Sequence, residues 1–321
     1  MPTIFEVLPG MEVPVGGISR SFAKLWADTE VSEQKAMQLN LVVHLGFATT
    51  TTDALEQFQV AVRLAQRYPC RVVFLCPVME DTSQVEMRAK IYGECFTGKS
   101  KGDTRCIEIV ALSYPLAAKA YLTDQVSICL STDLPLYYWA HRFTSSQRMG
   151  TYHYLLTRSQ RVMFDSAIVS ADALSYAWPN VSAVRDLAYT RTLPLRQNIG
   201  QFISRYAPAL IIDGLKGVTI HHRAQLAAEA RCLLGWVKKG LVRSGASVDE
   251  GINFTVTPVD CPGCFSLEFT YADGGKVFLW SADLEKNTAE FTGDLGTGRS
   301  TQTVGAHFLS PESSLAEAMF F

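Results

Sequence analysis

Along the first half of the chain, short uninterrupted apolar runs flank a segment whose apolar positions recur at helical spacing. "LNLVVHLGF" and "CRVVFLCPV" have the length and β-branching of buried strands, and "TTDALEQFQVAVRLAQRYP" between them reads as an amphipathic helix. Strand, helix, strand predicts a parallel pair joined by a right-handed crossover. Upstream, after a Gly/Pro-rich lead, Ile18, Phe22, Leu25 and Trp26 share one helical face. Downstream, "VEMRAKIYGECF" and "TRCIEIVAL" read as strands joined by the turn-rich TGKSKGD. A helix beginning near Pro115 and the short strands "PLYYW" and "RVMFDS" follow. Residues 1–170 are thus expected to form an α/β domain with a mostly parallel sheet, of which 1–35 are the lead and first helix.

The second half, 171–321, changes character. "VSAVRDLAYTRTLPLRQNIGQFISRY" reads as two helices interrupted near Pro194, since proline lacks a backbone donor and disfavours helix at the preceding residue. "GVTIHHRAQLAAEARCLLGWVKKGL" reads as one long helix capped by Thr219, with Leu226, Ala230, Leu233, Leu234 and Val237 on one face. "INFTVTPV", "CFSLEFTYA", "KVFLWSADL" and "AEFTGDL" then alternate apolar and polar, with a turn at Asp273–Gly275. Helices followed by an antiparallel meander make an α+β domain.

Composition narrows the function classes. The chain has 321 residues, 48% of them hydrophobic, enough for one large or two modest cores. Its 29 Lys+Arg balance 31 Asp+Glu with no basic block, so the stripe that a phosphate backbone needs is missing and no nucleic-acid partner is expected. The N-terminus has no basic start followed by an apolar core, and no long uncharged apolar run occurs, so a cytoplasmic protein without membrane association is expected. The eight cysteines, several inside strand-like runs, read as small core residues rather than a disulfide framework.

Several motifs carry candidate chemistry. Gly93–Ser100, GECFTGKS, has the letters of a phosphate-binding loop, but such a loop needs a helix starting at its lysine, and Lys99 is followed by a turn and a strand. Cys261-Pro-Gly-Cys264 has redox or half-zinc spacing but leads into a strand, and no second ligand pair completes a zinc site. His221 and His222 are neighbours in the expected helix and poorly placed to share a metal. Asp165 and Ser166 end the strand "RVMF", where open α/β sheets bind ligands, although a helix cap at the strand exit is an equal reading. No nucleophile elbow, dinucleotide fingerprint, zincin motif or EF-hand loop is present, and no metal or cofactor is expected. In "DLPLYYW", Pro135 sets the strand entry, and a period of two sends Tyr137 and Trp139 to one face and Tyr138 to the other.

Taken in order, these segments resemble the OpcA family, the glucose-6-phosphate dehydrogenase assembly proteins. The resemblance runs from Phe22 to Val237 through "FAKLW", "LNLVVHL", "YPCRVVFL", "IYGE", "DLPLYYW", "RVMFDS", "RDLAYTRTLPLRQNIGQF" and "HHRAQLAAEARCLLGW". It implies a non-enzymatic protein that binds glucose-6-phosphate dehydrogenase, promotes its active oligomer and raises its activity in the oxidative pentose phosphate pathway. The motif positions are Asp133, Leu134, Pro135 and Trp139; Asp165 and Ser166; Asp186, Leu187, Arg191, Pro194 and Arg196; and Arg223, Glu229, Gly235 and Trp236. This chain departs from the family at Ala140 and Tyr189, where tryptophan is common.

The resemblance makes Asp133, Pro135, Trp139, Asp165, Ser166, Asp186, Arg191, Arg196 and Arg223 the candidates for partner contact. Tyr137 and Trp139 are read as sheet core at the seam with the helical half. Arg191 and Arg196 suit bidentate pairing with a partner's carboxylate, or ion pairs within the chain to Asp165 or Asp186. Two other readings stay open: a nucleotide hydrolase using Gly93–Ser100 with Asp165 or Asp213 as the magnesium carboxylate, and a redox-responsive regulator through Cys261 and Cys264.

Overall fold

A computed structural model describes residues 2–27, 37–78, 86–97, 104–131, 133–247, 251–261 and 263–321. The chain forms two compact units, 1–187 with 311–321, and 188–310. The first unit is built on an eight-stranded sheet: β1 Met11–Val13, β2 Leu39–Leu45, β3 Cys70–Val78, β4 Arg88–Thr97, β5 Thr104–Pro115, β6 Leu136–His141, β7 Arg161–Phe164 and β8 Val184–Asp186. Spatial order is β1-β4-β5-β3-β2-β6-β7-β8. From β5 to β8 every pairing is parallel, while β1 and β4 add an antiparallel edge. The parallel strands, taken in chain order, therefore lie in the doubly wound sequence 3-2-1-4-5-6, whose direction of winding reverses between β2 and β6.

The helices of this unit are α1 Ile4–Val7, α2 Ile18–Ala27, α3 Thr51–Arg67, α4 Lys119–Cys129, α5 Ser146–Gly150, α6 His153–Arg158 and α7 Ala171–Leu174, joined by the C-terminal helix Pro311–Phe320. They cover both sheet faces, which is why β2 is buried along its whole length and reads as a continuous apolar run. Strand β6 follows the expected period of two: Tyr137 and Trp139 enter the core with α3 and the C-terminal helix, while Tyr138 and Ala140 enter the opposite core with α2, α4 and α6. The lead before α2 is tied down as well. Thr3 and Glu6 form a capping box, Phe5 and Leu8 are buried, and Lys90 Nζ donates to the carbonyls of Phe5, Glu6 and Leu8 at 2.8, 3.0 and 2.9 Å.

The phosphate-loop reading of GECFTGKS is corrected here. Gly93 to Thr97 lie within β4, whose ladder with β5 runs on to Thr97 opposite Thr104; Lys99 and Ser100 lie outside the described residues. Gly93 has a packing reason: a Cβ there would stand 2.7 Å from Leu25 Cδ2 and from Trp26 Cζ2, side chains that α2 lays across the strand. The cysteine reading also changes. Cys95 and Cys106 face each other across the β4–β5 ladder and are disulfide-bonded, as are Cys261 and Cys264; Cys70, Cys76 and Cys129 are buried free thiols, as expected. Burial pushes the Cys70 and Cys76 thiols up to about 12, so they are inert.

In the second unit α8 Leu187–Arg191 starts at the division and is followed by α9 Leu193–Ile203, α10 Pro208–Ile212 and α11 Ala227–Arg243. The sheet contains β9 Leu215–His222, β10 Asn253–Pro258, β11 Cys264–Tyr271, β12 Val277–Asp283, β13 Thr288–Asp294 and β14 Ser300–Gly305, in order β10-β9-β11-β12-β13-β14. Strands β11 to β13 form the antiparallel meander expected of them, β14 extends it by a strand the sequence pattern did not mark, and β10, expected to open it, lies elsewhere in the sheet. The long helix expected from Gly217 is instead β9 followed by α11, so Thr219 caps nothing and His221 and His222 are strand residues. Leu215, Val218, Ile220 and His222 are the buried positions, and β-branched Val218, Thr219 and Ile220 suit a pleated surface better than a helix. Consequently β10 pairs in parallel with β9 across the α11 crossover. Phe202 of α9 stacks on Phe291 of β13 at 4.3 Å between centroids.

Two glycine substitutions separate packing from backbone effects. Gly93→Val is expected to cost about 1–3 kcal/mol by overpacking against Leu25 and Trp26. Gly240→Ala, on an exposed α11 position where a Cβ meets nothing within 4 Å, is expected to gain up to about 1 kcal/mol. Denaturant midpoints of the two variants should therefore move in opposite directions.

Candidate functional site

In a doubly wound sheet, ligands enter the crevice beyond the carboxyl ends of the strands where the winding reverses, with anions seated at the N-terminus of the first helix. Here that place lies between β2 and β6, in front of α3, and the chain's own groups occupy it. Gly46, directly after β2, donates its N–H to the His141 carbonyl at 2.7 Å, and a Cβ on Gly46 would collide with the backbone carbonyls of His141 and Arg142. Only glycine permits this approach. Arg142 leaves β6 in the left-handed region at φ 49, which turns its side chain back toward α3.

In the first turn of α3, Asp53 holds the anionic position that a bound phosphate takes in nucleotide-binding sheets. Its carboxylate accepts from His141 Nε2 at 2.9 Å, from Gln57 Nε2 at 3.1 Å and from Arg142 Nε, while its N–H donates to the N-cap Thr50 Oγ1 at 3.1 Å. Burial pushes the carboxyl pKa up, but these hydrogen bonds and the charge next to it outweigh burial and hold it down at about 2. A negative charge here also suits the positive end of α3.

On the other face of the sheet, the ring of His44 bridges two strands: Nδ1 meets Tyr138 Oη and Nε2 meets Tyr114 Oη, each at 2.8 Å. Tyr114 Oη in turn meets Tyr152 Oη at 2.8 Å. His44 is completely buried, which lowers its pKa to about 3 and keeps the ring neutral, so it donates through one nitrogen and accepts through the other. These two clusters lock β2, β5, β6 and α3 together and leave a polar network with no exposed nucleophile. None of Asp53, His141, Arg142 and His44 was singled out from the sequence; the only local hint was Gly46 following an apolar run.

The residues singled out by motif fall in separate places. In the first unit, Asp133 and Pro135 are exposed at the entry of β6, and Trp139 is buried, edge-on to His141 at 5.4 Å. Asp165 and Ser166, at the exit of β7, come together with Asp186 of β8: Asp165 Oδ1 accepts from the Ala167 N–H and Asp186 Oδ1 from the Ser166 N–H, both at 3.0 Å. Asp165 thereby organises the turn that follows the strand rather than capping a helix, since α7 begins at Ala171 with Ser170 as its N-cap. In the second unit, Arg191 pairs with the buried Glu229 at 2.7 Å. Arg196 is buried, lies 3.8 Å over the Tyr189 ring and donates to its hydroxyl at 2.8 Å, so Tyr189 provides it with an aromatic platform. Arg223 is half-buried beside Gln225 and Glu285, at the rim of a depression of about 540 Å³ shared with Pro258, Asp260 and Cys261. Asp213 is exposed and paired with Lys276. Among the described residues no group of three or more His, Cys, Asp or Glu side chains is arranged to hold a metal, and no helix is long and apolar enough to cross a membrane.

The pKa shifts fix an acid profile. Unfolded His44 takes up a proton near 6.5 and folded His44 only near 3, so stability falls as pH drops through that interval. Asp53, normally at 3.8 and held at about 2, adds a further loss below about pH 4. In equilibrium denaturation across pH, His44→Gln is expected to flatten the decline between pH 6.5 and 5. Asp53→Asn is expected to lose about 1–3 kcal/mol at neutral pH and the steepest acid limb with it.

Residues 61–177 match the family model described as "Glucose-6-phosphate dehydrogenase subunit N-terminal domain". A curated protein of Synechocystis sp. (strain ATCC 27184 / PCC 6803 / Kazusa), described as "Putative OxPP cycle protein OpcA", is 24% identical over 193 residues, 58% of this chain. The match spans 40% of that relative's length. Among solved structures, a dipicolinate-bound dihydrodipicolinate reductase from Paenisporosarcina sp. TG-14 is 10% identical, covers 88% of this chain and 93% of its own, and superimposes with a TM-score of 0.32, too distant to bear on function. The matched residues run from within α3 through β3 to β7 and on past α7, and it is over this segment that the chain is similar to the OpcA assembly proteins.

Proposed function

We propose that this chain is a non-enzymatic assembly factor that binds glucose-6-phosphate dehydrogenase, promotes its active oligomer and so raises its activity. The observation that carries the reading is the family match over 61–177, the segment that supplies most of the doubly wound sheet. The filled crevice supports the non-enzymatic part. Where a dinucleotide's phosphates would sit, Asp53 already neutralises the start of α3, and Gly46 against His141 and Arg142 closes the gap between β2 and β6. Such a sheet serves as a rigid scaffold for exposed loops, and loops on rigid elements are where binding groups concentrate.

The proposed partner-contacting groups are the exposed Asp133 and Pro135, the Asp165–Ser166–Asp186 cluster at the strand ends, and, in the second unit, Arg223 with Arg191. Trp139 and Arg196 contribute from within, one by fixing β6 and the other by holding Tyr189. Cys261 lines the same depression as Arg223, and its disulfide with Cys264 braces the entry to β11.

The test is dehydrogenase activity and particle mass with and without this protein, using the dehydrogenase of the same cell. Lys99→Ala is expected to bind and activate as the wild type does. Loss of nucleotide hydrolysis in that variant, with no complex formed by either version, would instead favour the hydrolase. Asp133→Lys and Arg223→Glu are each expected to weaken the complex about tenfold, close to 1.4 kcal/mol, without moving the melting temperature. Trp139→Ala should destabilise the fold by about 3–5 kcal/mol instead.

A further inference from the structure

Of the four sheet edges among the described residues, three carry devices that oppose pairing with another chain. Edges β1 and β8 are three residues long, and their central residues are Glu12 and Arg185. A two-fold axis through either edge would set like charges against each other. Edge β10 ends in Pro258, which has no N–H to offer. Edge β14 has none of these. Its sequence, Ser300-Thr301-Gln302-Thr303-Val304-Gly305, holds six residues without charge or proline; Thr301 and Thr303 are exposed, and Ser300, Gln302 and Val304 half-buried.

We infer that β14 is a homodimerisation edge, whose occupant is β14 of a second copy in antiparallel pairing. A two-fold axis perpendicular to the sheet keeps side chains of the same parity on the same face, so it can only oppose residues an even number apart. Centred on Gln302, it sets Gln302 against its own copy, Thr301 against Thr303, and Ser300 against Val304. Every one of these pairs is uncharged, and the threonine pairs are of the kind that stabilises adjacent strands. This register stops short of Gly305, whose carbonyl is already taken by Asn198 Nδ2 at 2.6 Å. The two six-stranded sheets then become one continuous sheet. A net charge of −2 leaves little long-range repulsion between copies. The inference is independent of the dehydrogenase reading.

The experiment is sedimentation equilibrium of the full chain over a concentration series. Wild type is expected to approach twice its 35.4 kDa mass. T301K/T303K places two lysine pairs across the axis and should raise the dimer dissociation constant at least about tenfold. T301E/T303K places Glu opposite Lys in the same register and should dimerise again, which a merely misfolded strand would not do. A monomeric wild type, an unaffected T301K/T303K, or failure of T301E/T303K to recover would each overturn the inference. So would a monomer whose T301K/T303K variant loses the dehydrogenase, since the edge would then serve a different chain.

Discussion

One carboxylate ties the first unit together at its point of greatest topological tension. Doubly wound sheets reverse direction between their first and fourth parallel strands, and the two halves part there unless something bridges them. In this chain Asp53 bridges them from the start of α3, accepting from His141 and Arg142 at the end of β6. The bridge works because Gly46 lets the β2 exit touch the β6 exit, and because Arg142 turns through the left-handed region to come back. Remove Arg142 and the Asp53 carboxylate loses a counter-charge, which costs more than the bond itself contributes; replace Gly46 and the two strand exits collide.

The same closure separates scaffold from function. A sheet of this order normally leaves its crevice open for a cofactor; here a second lock, His44 between Tyr114 and Tyr138, stiffens the strands on the opposite face. The residues singled out by motif lie away from this crevice, at strand entries and exits and, in the second unit, at the start of α11.

Local pattern carried much of this into the sequence. The runs at β2, β3 and β6, the amphipathic α3 and the alternating strands β11 to β13 were legible because each has the length and period of its element. The alternation in "DLPLYYW" correctly divided Tyr137 and Trp139 from Tyr138. The OpcA resemblance was legible for a different reason, several short motifs in a fixed order. Where pattern misled, a strand ran straight into a helix: "GVTIHH" and "AAEARCLLGWVKK" merged into one apparent helix because no glycine or proline marks the change between His222 and Ala227.

The amino-acid sequence thus determined which segments are strands and helices, which aromatic faces are core, and which family the chain resembles, since all of these depend on residues close together. Tertiary structure alone decided the rest. Asp53 and His141 are 88 residues apart, and nothing in either neighbourhood announces the pair. Cys95 and Cys106 bond because the β4–β5 register puts them opposite, while Cys70 and Cys76 stay free on a strand that offers no partner. The helix Pro311–Phe320 returns to the first unit, with Arg63 pairing to Glu312, only because the folded sheet leaves an apolar face for it to cover. Contacts of this kind are set by the path of the whole backbone, and a period read along a few residues cannot encode that path.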